Sequence, residues 1–297
     1  MDCSCLEVWH DRTKKEKSMT GYETLDLTTQ DGVGFVTINN PPVNVMTPKL
    51  YHELVTITEA LEADENLKVV VFQSADPDFF IAHFDVNAIL TFPVEGDAER
   101  AENLSPFHLM CERVRTMPKA TLVKMAGRAG GGGNEFAASC DMRFGIRNKT
   151  VINQMEVPLG ILPGGSGTQR LPRLVGRGRA MEICLGGEDI DAETCERWGY
   201  LNRIFDTSAA LDEFVDALAF RIAKWPSEAI ALCKASINNA ELPIQEGLLE
   251  EAYLFQQTLR TDGAQTNMRR ALEMGLQTRA GELRMGALAA EFGNPES

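Results

Sequence analysis

Gly127-Arg128-Ala129-Gly130-Gly131-Gly132-Gly133-Asn134-Glu135-Phe136-Ala137-Ala138 decides how this chain is read. An apolar run at 120–123 precedes it and predicts a buried strand. Four consecutive glycines let a ligand come close to the backbone. From Gly132 onward the residues suit a helix, so the pattern is strand, glycine turn, helix start. The first N–H groups of a helix have no partner inside it and carry the positive end of its dipole. Such a turn holds a negative oxygen. A phosphate fits poorly, because the Walker pattern needs Lys and Ser/Thr where this chain has Asn134 and Glu135. The dinucleotide fingerprint spaces its glycines near the start of a domain, and these are contiguous and central. A Glu beside free N–H donors suits proton transfer next to a developing oxyanion. Taken alone, the segment also fits an empty glycine turn in which Glu135 complements the helix dipole.

The chain has 297 residues, 44% of them apolar, enough for one large domain or a domain with an appendage. A net charge of −14 argues against nucleic acid or an anionic membrane as the main partner. A local basic patch could still hold an anionic cofactor. No apolar run of about 18 residues occurs, so no membrane span is expected. The seven cysteines (Cys3, Cys5, Cys111, Cys140, Cys184, Cys195, Cys233) are odd in number and lack paired metal spacing. They read as reduced thiols of a cytoplasmic protein with no zinc or other metal site.

Residues 1–20 are polar, and Asp2, Glu7, Asp11 and Glu16 are unlike a transit peptide. A disordered extension is expected there, with Met19 a second candidate start. Strands at 22–28 and 33–38 flank Gln30-Asp31-Gly32, a hairpin signal. Thr47-Pro48 predicts a helix start, with Leu50, Leu54, Ile57 and Leu61 on one face. A buried strand follows at 68–72, then a second apolar turn at 79–85 and a helix at about 98–117. Residues 142–146 and 150–152 read as short strands and 154–158 as a loop. Helices are expected at 168–174 and 179–185, and at 189–203 running into a strand. Beyond 206 strand signals vanish, so the organisation expected is an α/β core at 21–206 and a helical region at 207–297.

The glycine segment resembles the signature of the crotonase (enoyl-CoA hydratase/isomerase) superfamily. So do Glu156-Val157-Pro158-Leu159-Gly160-Ile161-Leu162-Pro163-Gly164-Gly165-Ser166-Gly167-Thr168-Gln169-Arg170-Leu171 and the block Gly187-Glu188-Asp189-Ile190-Asp191-Ala192-Glu193 with Trp198-Gly199-Tyr200. The resemblance covers about residues 22–290. It implies an α/β spiral of ββα units with a C-terminal α-helical oligomerisation region that builds homotrimers or homohexamers. It also implies an acyl-CoA thioester as substrate, with coenzyme A part of that substrate and no separate cofactor. The thioester enolate would be held by the N–H groups of Phe84 and Gly132. Ala82, His83, Asp85 and Gly131 would contact substrate. His83 stands where the family usually has Gly, and Val86-Asn87 replaces a Lys that often lies near the adenine. Asp262-Gly263-Ala264-Gln265 lacks the usual acidic pattern.

The catalytic pair implied is Glu135 and Glu156. Adding water across a double bond needs one group to activate water and one to deliver a proton to the α-carbon. Two neighbouring carboxylates resist joint ionisation, which keeps one proton in the site. The expectation is therefore a lyase of the enoyl-CoA hydratase type. The alternatives are other crotonase chemistry (double-bond isomerase, decarboxylase, thioester hydrolase) or a catalytically silent acyl-CoA binder. Phe79, Phe80, Phe84, Leu90 and Phe92 are candidates for an apolar acyl pocket.

Overall fold

The computed structural model describes residues 17–19, 21–97 and 100–292. The chain opens with strands β1 (Lys17–Met19), β2 (Leu25–Gln30) and β3 (Val33–Ile38), paired antiparallel in that order. Asp31 and Gly32 join β2 to β3 with φ of 46° and 80°, the paired positive φ that a two-residue I′ turn requires. Part of the extension expected at 1–20 is thus an edge strand; the rest lies outside the described residues. Helix α1 (Pro48–Ala63) starts as the sequence implies: the Thr47 side chain accepts from the Leu50 N–H at 3.3 Å. Its Leu50, Leu54, Ile57 and Leu61 are buried, each contributing roughly 2 kcal/mol of transfer free energy.

Three repeats of one unit follow. A strand joins the large sheet, a short strand joins a second sheet, and a helix returns. The first is β4 (Val69–Ser74) and β5 (Phe79–Ile81), then α2 (Val86–Ile89) and α3 (Pro106–Thr116). The second is β6 (Ala120–Met125), β7 (Arg128–Gly130) and α4 (Gly131–Ser139). The third is β8 (Met142–Ile146) and β9 (Val151–Asn153), then α5 (Gly167–Val175) and α6 (Arg177–Gly186). β10 (Ile190–Asp191), α7 (Ala192–Trp198) and β11 (Arg203–Phe205) complete the sheets. The large sheet runs β1-β2-β3-β4-β6-β8-β11, parallel from β3 onward. The small sheet runs β10-β9-β7-β5, with β5, β7 and β9 mutually parallel. The parallel strands of the large sheet are buried on both faces, as such sheets must be.

Two expectations are corrected here. Helix α3 begins at Pro106, because Ser105 accepts from the His108 N–H and Pro106 takes the first position, so the pattern does not start near 98. The helix expected over 189–203 is only α7, because Ile190 and Asp191 pair with β9 first.

The helical region begins with α8 (Ser208–Ile222), which belongs to the sheet. Its Leu211, Val215 and Ala219, at helical spacing, cover Val33, Val69, Val71, Leu122 and Phe144 on the sheet face opposite α1 and α4. Next come α9 (Ser227–Asn238), α10 (Ile244–Leu259), α11 (Asp262–Glu273), α12 (Arg279–Glu282) and α13 (Met285–Phe292). The last stretch of the helical region, 262–292, is thus three separate helices. Lys234 on α9 is buried and locks that helix to the core. Its Nζ donates to the carbonyls of Val114 and Lys119 at 3.0 and 2.8 Å and meets Asp141 at 3.0 Å.

Candidate active site

The small sheet assembles the candidate residues. β5, β7 and β9 are adjacent and parallel, so the chain leaves all three at one end. β5 leads into Ala82-His83-Phe84-Asp85, β7 into the glycine start of α4, and β9 into Gln154-Met155-Glu156. Three segments far apart in sequence meet there. A Cβ on Gly132 would stand 3.1 Å from Phe84 Cβ and 3.6 Å from Phe84 N. A Cβ on Gly131, which has φ of 44°, would stand 2.7 Å from Glu156 Oε1 and 3.5 Å from His83 Cβ.

The Phe84 N–H is aimed by a parallel bridge. Met46 donates to the His83 carbonyl at 2.8 Å and accepts from the Asp85 N–H at 3.1 Å. In such a bridge the N–H of the intervening residue, Phe84, points to the opposite side. Asn44 braces the same loop from behind, with Nδ2 donating to Ser74 Oγ at 2.8 Å and to the Phe79 and Phe80 carbonyls at 3.2 Å. Gly132 is in the first turn of α4, whose amides have no partners within the helix.

Glu135 is one turn further along α4 and buried. Its Oε1 accepts from the Gly165 and Gly167 N–H groups at 2.9 and 2.7 Å. Burial pushes its carboxyl up to about 7, and the charge of Glu156 adds to this; the two N–H groups and Arg170 oppose it. Glu156 is buried too. Burial raises its pKa, against the influence of the His83 imidazole. Its Oε2 has no hydrogen-bond partner among the described residues. A buried carboxylate oxygen without a partner costs free energy unless something else fills the role.

His83 is half-buried beside Gly131, with Nδ1 at 2.8 Å from the Phe84 carbonyl. A carbonyl only accepts, so Nδ1 carries the hydrogen of this contact. Ala82 lies at the β5 exit, where its carbonyl abuts Gly130. Asp85 caps α2, its Oδ1 accepting from the Asn87 N–H at 2.9 Å.

Of the apolar candidates, Phe80 is core and Leu90 and Phe92 are exposed on the surface. Phe84 instead packs with Tyr51 of α1 and Phe107 of α3, each pair of ring centroids 6.0 Å apart. Sequence reasoning missed Tyr51, Phe107 and the Gly165 and Gly167 donors, because nothing local marks them. Only the glycine-rich text around 164–167 hinted at a close backbone approach.

The arrangement can hold an oxyanion between two N–H groups and move a proton with two carboxyls that burial raises, that of Glu135 to about 7. Residues 28–278 match the family model described as enoyl-CoA hydratase/isomerase. The chain is 34% identical over 252 residues to "Probable enoyl-CoA hydratase" of Rhizobium meliloti, covering 83% of this chain and 94% of that one. It is 30% identical over 256 residues to "Probable enoyl-CoA hydratase echA8" of Mycobacterium leprae, covering 85% and 96%. A crystal structure of an enoyl-CoA hydratase from Bacillus anthracis superposes with a TM-score of 0.76 at 25% identity, covering 85% of this chain and 97% of that one. With the ββα spiral, the strand-end site and these matches together, the chain belongs to the enoyl-CoA hydratase/isomerase family and has the crotonase fold.

Proposed function

We propose that the protein is a hydro-lyase that adds water to, or removes it from, a 2-enoyl-CoA thioester. The observation that carries this reading is the pairing of two buried glutamates, both with raised pKa values, beside the N–H groups of Phe84 and Gly132. The thioester oxygen binds those two donors. Water is held between the carboxyls of Glu135 and Glu156. The ionised carboxyl takes a proton from water as its oxygen bonds to the β-carbon, and the π electrons pass to the thioester oxygen as an enolate. The N–H pair stabilises that charge where it develops. The protonated carboxyl then gives its proton to the α-carbon, and the enolate collapses to the 3-hydroxyacyl thioester. Loss of the conjugated absorbance of a 2-enoyl-CoA on mixing with the protein tests this. A stable spectrum with a bound thioester would refute it and leave a binder.

His83 shares the space around Gly131 and Glu156, which supports a substrate-side role. His83→Gly is expected to widen acyl acceptance. The ratio of kcat/KM for a long over a short enoyl-CoA should rise by roughly tenfold, the scale of a steric change in a pocket. An equal ratio in both proteins would rule out the steric role.

We also propose a homotrimer or homohexamer built through the helices after α8. On α10, Ile244, Leu248, Leu249, Tyr253 and Phe255 are exposed, whereas Leu254 packs within the chain. An apolar face of that size on a helix usually marks an interface. Light scattering at micromolar concentration should give a multiple of three chains; a monomer would defeat this.

A further inference from the structure

The turn that grips Glu135 is itself gripped from behind. Gly165 and Gly167 donate to Glu135 Oε1, and between them Ser166 has φ of 108°, a left-handed conformation that side chains rarely adopt. Such a conformation persists only where the surroundings impose it. Arg170 supplies much of that imposition. Its Nε donates to Ser166 Oγ at 3.0 Å, and its backbone N–H donates to the Ser166 carbonyl at 2.9 Å. Its Nη2 donates to Glu112 Oε1 on α3 at 2.5 Å. The Arg170 side chain is only 13% exposed. Burial alone would raise the Glu112 carboxyl, but hydrogen bonds from Arg115 and Arg170 bring it below its ordinary value, so it stays an anion and holds the guanidinium in place.

We propose that Arg170 is a positioning residue: it fixes the 165–167 turn so that two N–H groups meet Glu135, and its charge favours the ionised form of that carboxyl. The catalytic part of this rests on the hydratase reading above. The titratable groups facing Glu135 are Glu156 after β9, Arg170 on α5, Cys111 on α3 and Cys184 on α6. Both thiols are pushed up to about 11 and are uncharged at neutral pH, so Arg170 is the cation of this set. A lysine would keep the charge but lose the planar fork that reaches Ser166 and Glu112 together.

Three variants, Arg170→Met, Arg170→Lys and Ser166→Gly, separate geometry from charge. Arg170→Met should lower kcat at pH 7 by about tenfold or more, with KM for a 2-enoyl-CoA changed less than about twofold. The acid limb of its rate profile should move to higher pH, because the carboxyl pair loses its nearby cation. Arg170→Lys should return the acid limb close to wild type and recover part of kcat. Ser166→Gly keeps the cation and should leave the limb in place. Hydrogen exchange at the Gly165 and Gly167 amides reads the turn without any assay, and it should quicken in Arg170→Met and Ser166→Gly. Unchanged exchange at both amides, or a lower kcat with a fixed acid limb in Arg170→Met, would overturn the proposal. If Arg170→Met does not fold, the Lys and Gly variants judge it by the same two readouts. A wild type that hydrates no enoyl-CoA would remove the hydratase reading, while the exchange data would still judge the turn.

Discussion

Glu135→Gln is expected to lower hydration by about two orders of magnitude or more, the worth of a positioned proton-transfer group, and Glu156→Gln to do the same. Neither change should unfold the protein. Glu135→Gln should even stabilise it at alkaline pH. The Glu135 carboxyl is raised to about 7 in the fold against an ordinary 4.5. Between those values the folded chain binds more protons than the unfolded one, so stability falls as pH rises. A neutral Gln removes that fall. The gain over wild type should approach about 3 kcal/mol above pH 7 and vanish below about pH 4. Denaturant unfolding at both pH extremes, beside kcat, checks the pair of effects. Near-wild-type turnover in either variant would sink the two-carboxylate mechanism, and a gain independent of pH would contradict the raised carboxyl.

Gly165→Ala is expected to be nearly as damaging to turnover, although it replaces no ionisable group. A Cβ there would overlap Glu135 Oε2 and stand 2.6 and 2.9 Å from two ring carbons of Phe107. The turn is backbone and cannot retreat, so the carboxylate and the ring must. Moving a reacting group by about 1 Å can cost about a hundredfold, and overpacking of this kind typically costs about 1–3 kcal/mol of stability. Single-turnover rates with thermal melts test it: a variant with wild-type rates would mean that Glu135 tolerates displacement.

Much of this was legible in the residues. The glycine run announced a close backbone approach beside a helix start, and Thr47-Pro48 and Asp31-Gly32 carry local chemistry that dictates a cap and a turn. Other features had no local signal. The two-residue strand β10 is pairing with β9, not propensity, and periodicity sees only the helix behind it. Helix α8 reads like its successors because an amphipathic face does not say which surface it will cover. Phe107 and Arg170 approach Glu135 through folding alone, from 28 and 35 positions away in the chain. Asp85 carried two signals at once: its place in a motif suggested substrate, and an acid before Val86-Asn87 is also an ordinary helix cap, which it forms.

The convergence of β5, β7 and β9 at one end has a bearing on how this site can change. Positions 83 and 156 both crowd position 131, although the chain separates them by dozens of residues. Residues in contact do not contribute independently, so energies at these three sites should not add. A substitution that is harmful alone can become neutral once its neighbour has changed, and the order in which changes arrive then matters. The histidine at 83 would be one such conditional state, tolerated only against its present neighbours, and routes to a new acyl preference would run through paired steps.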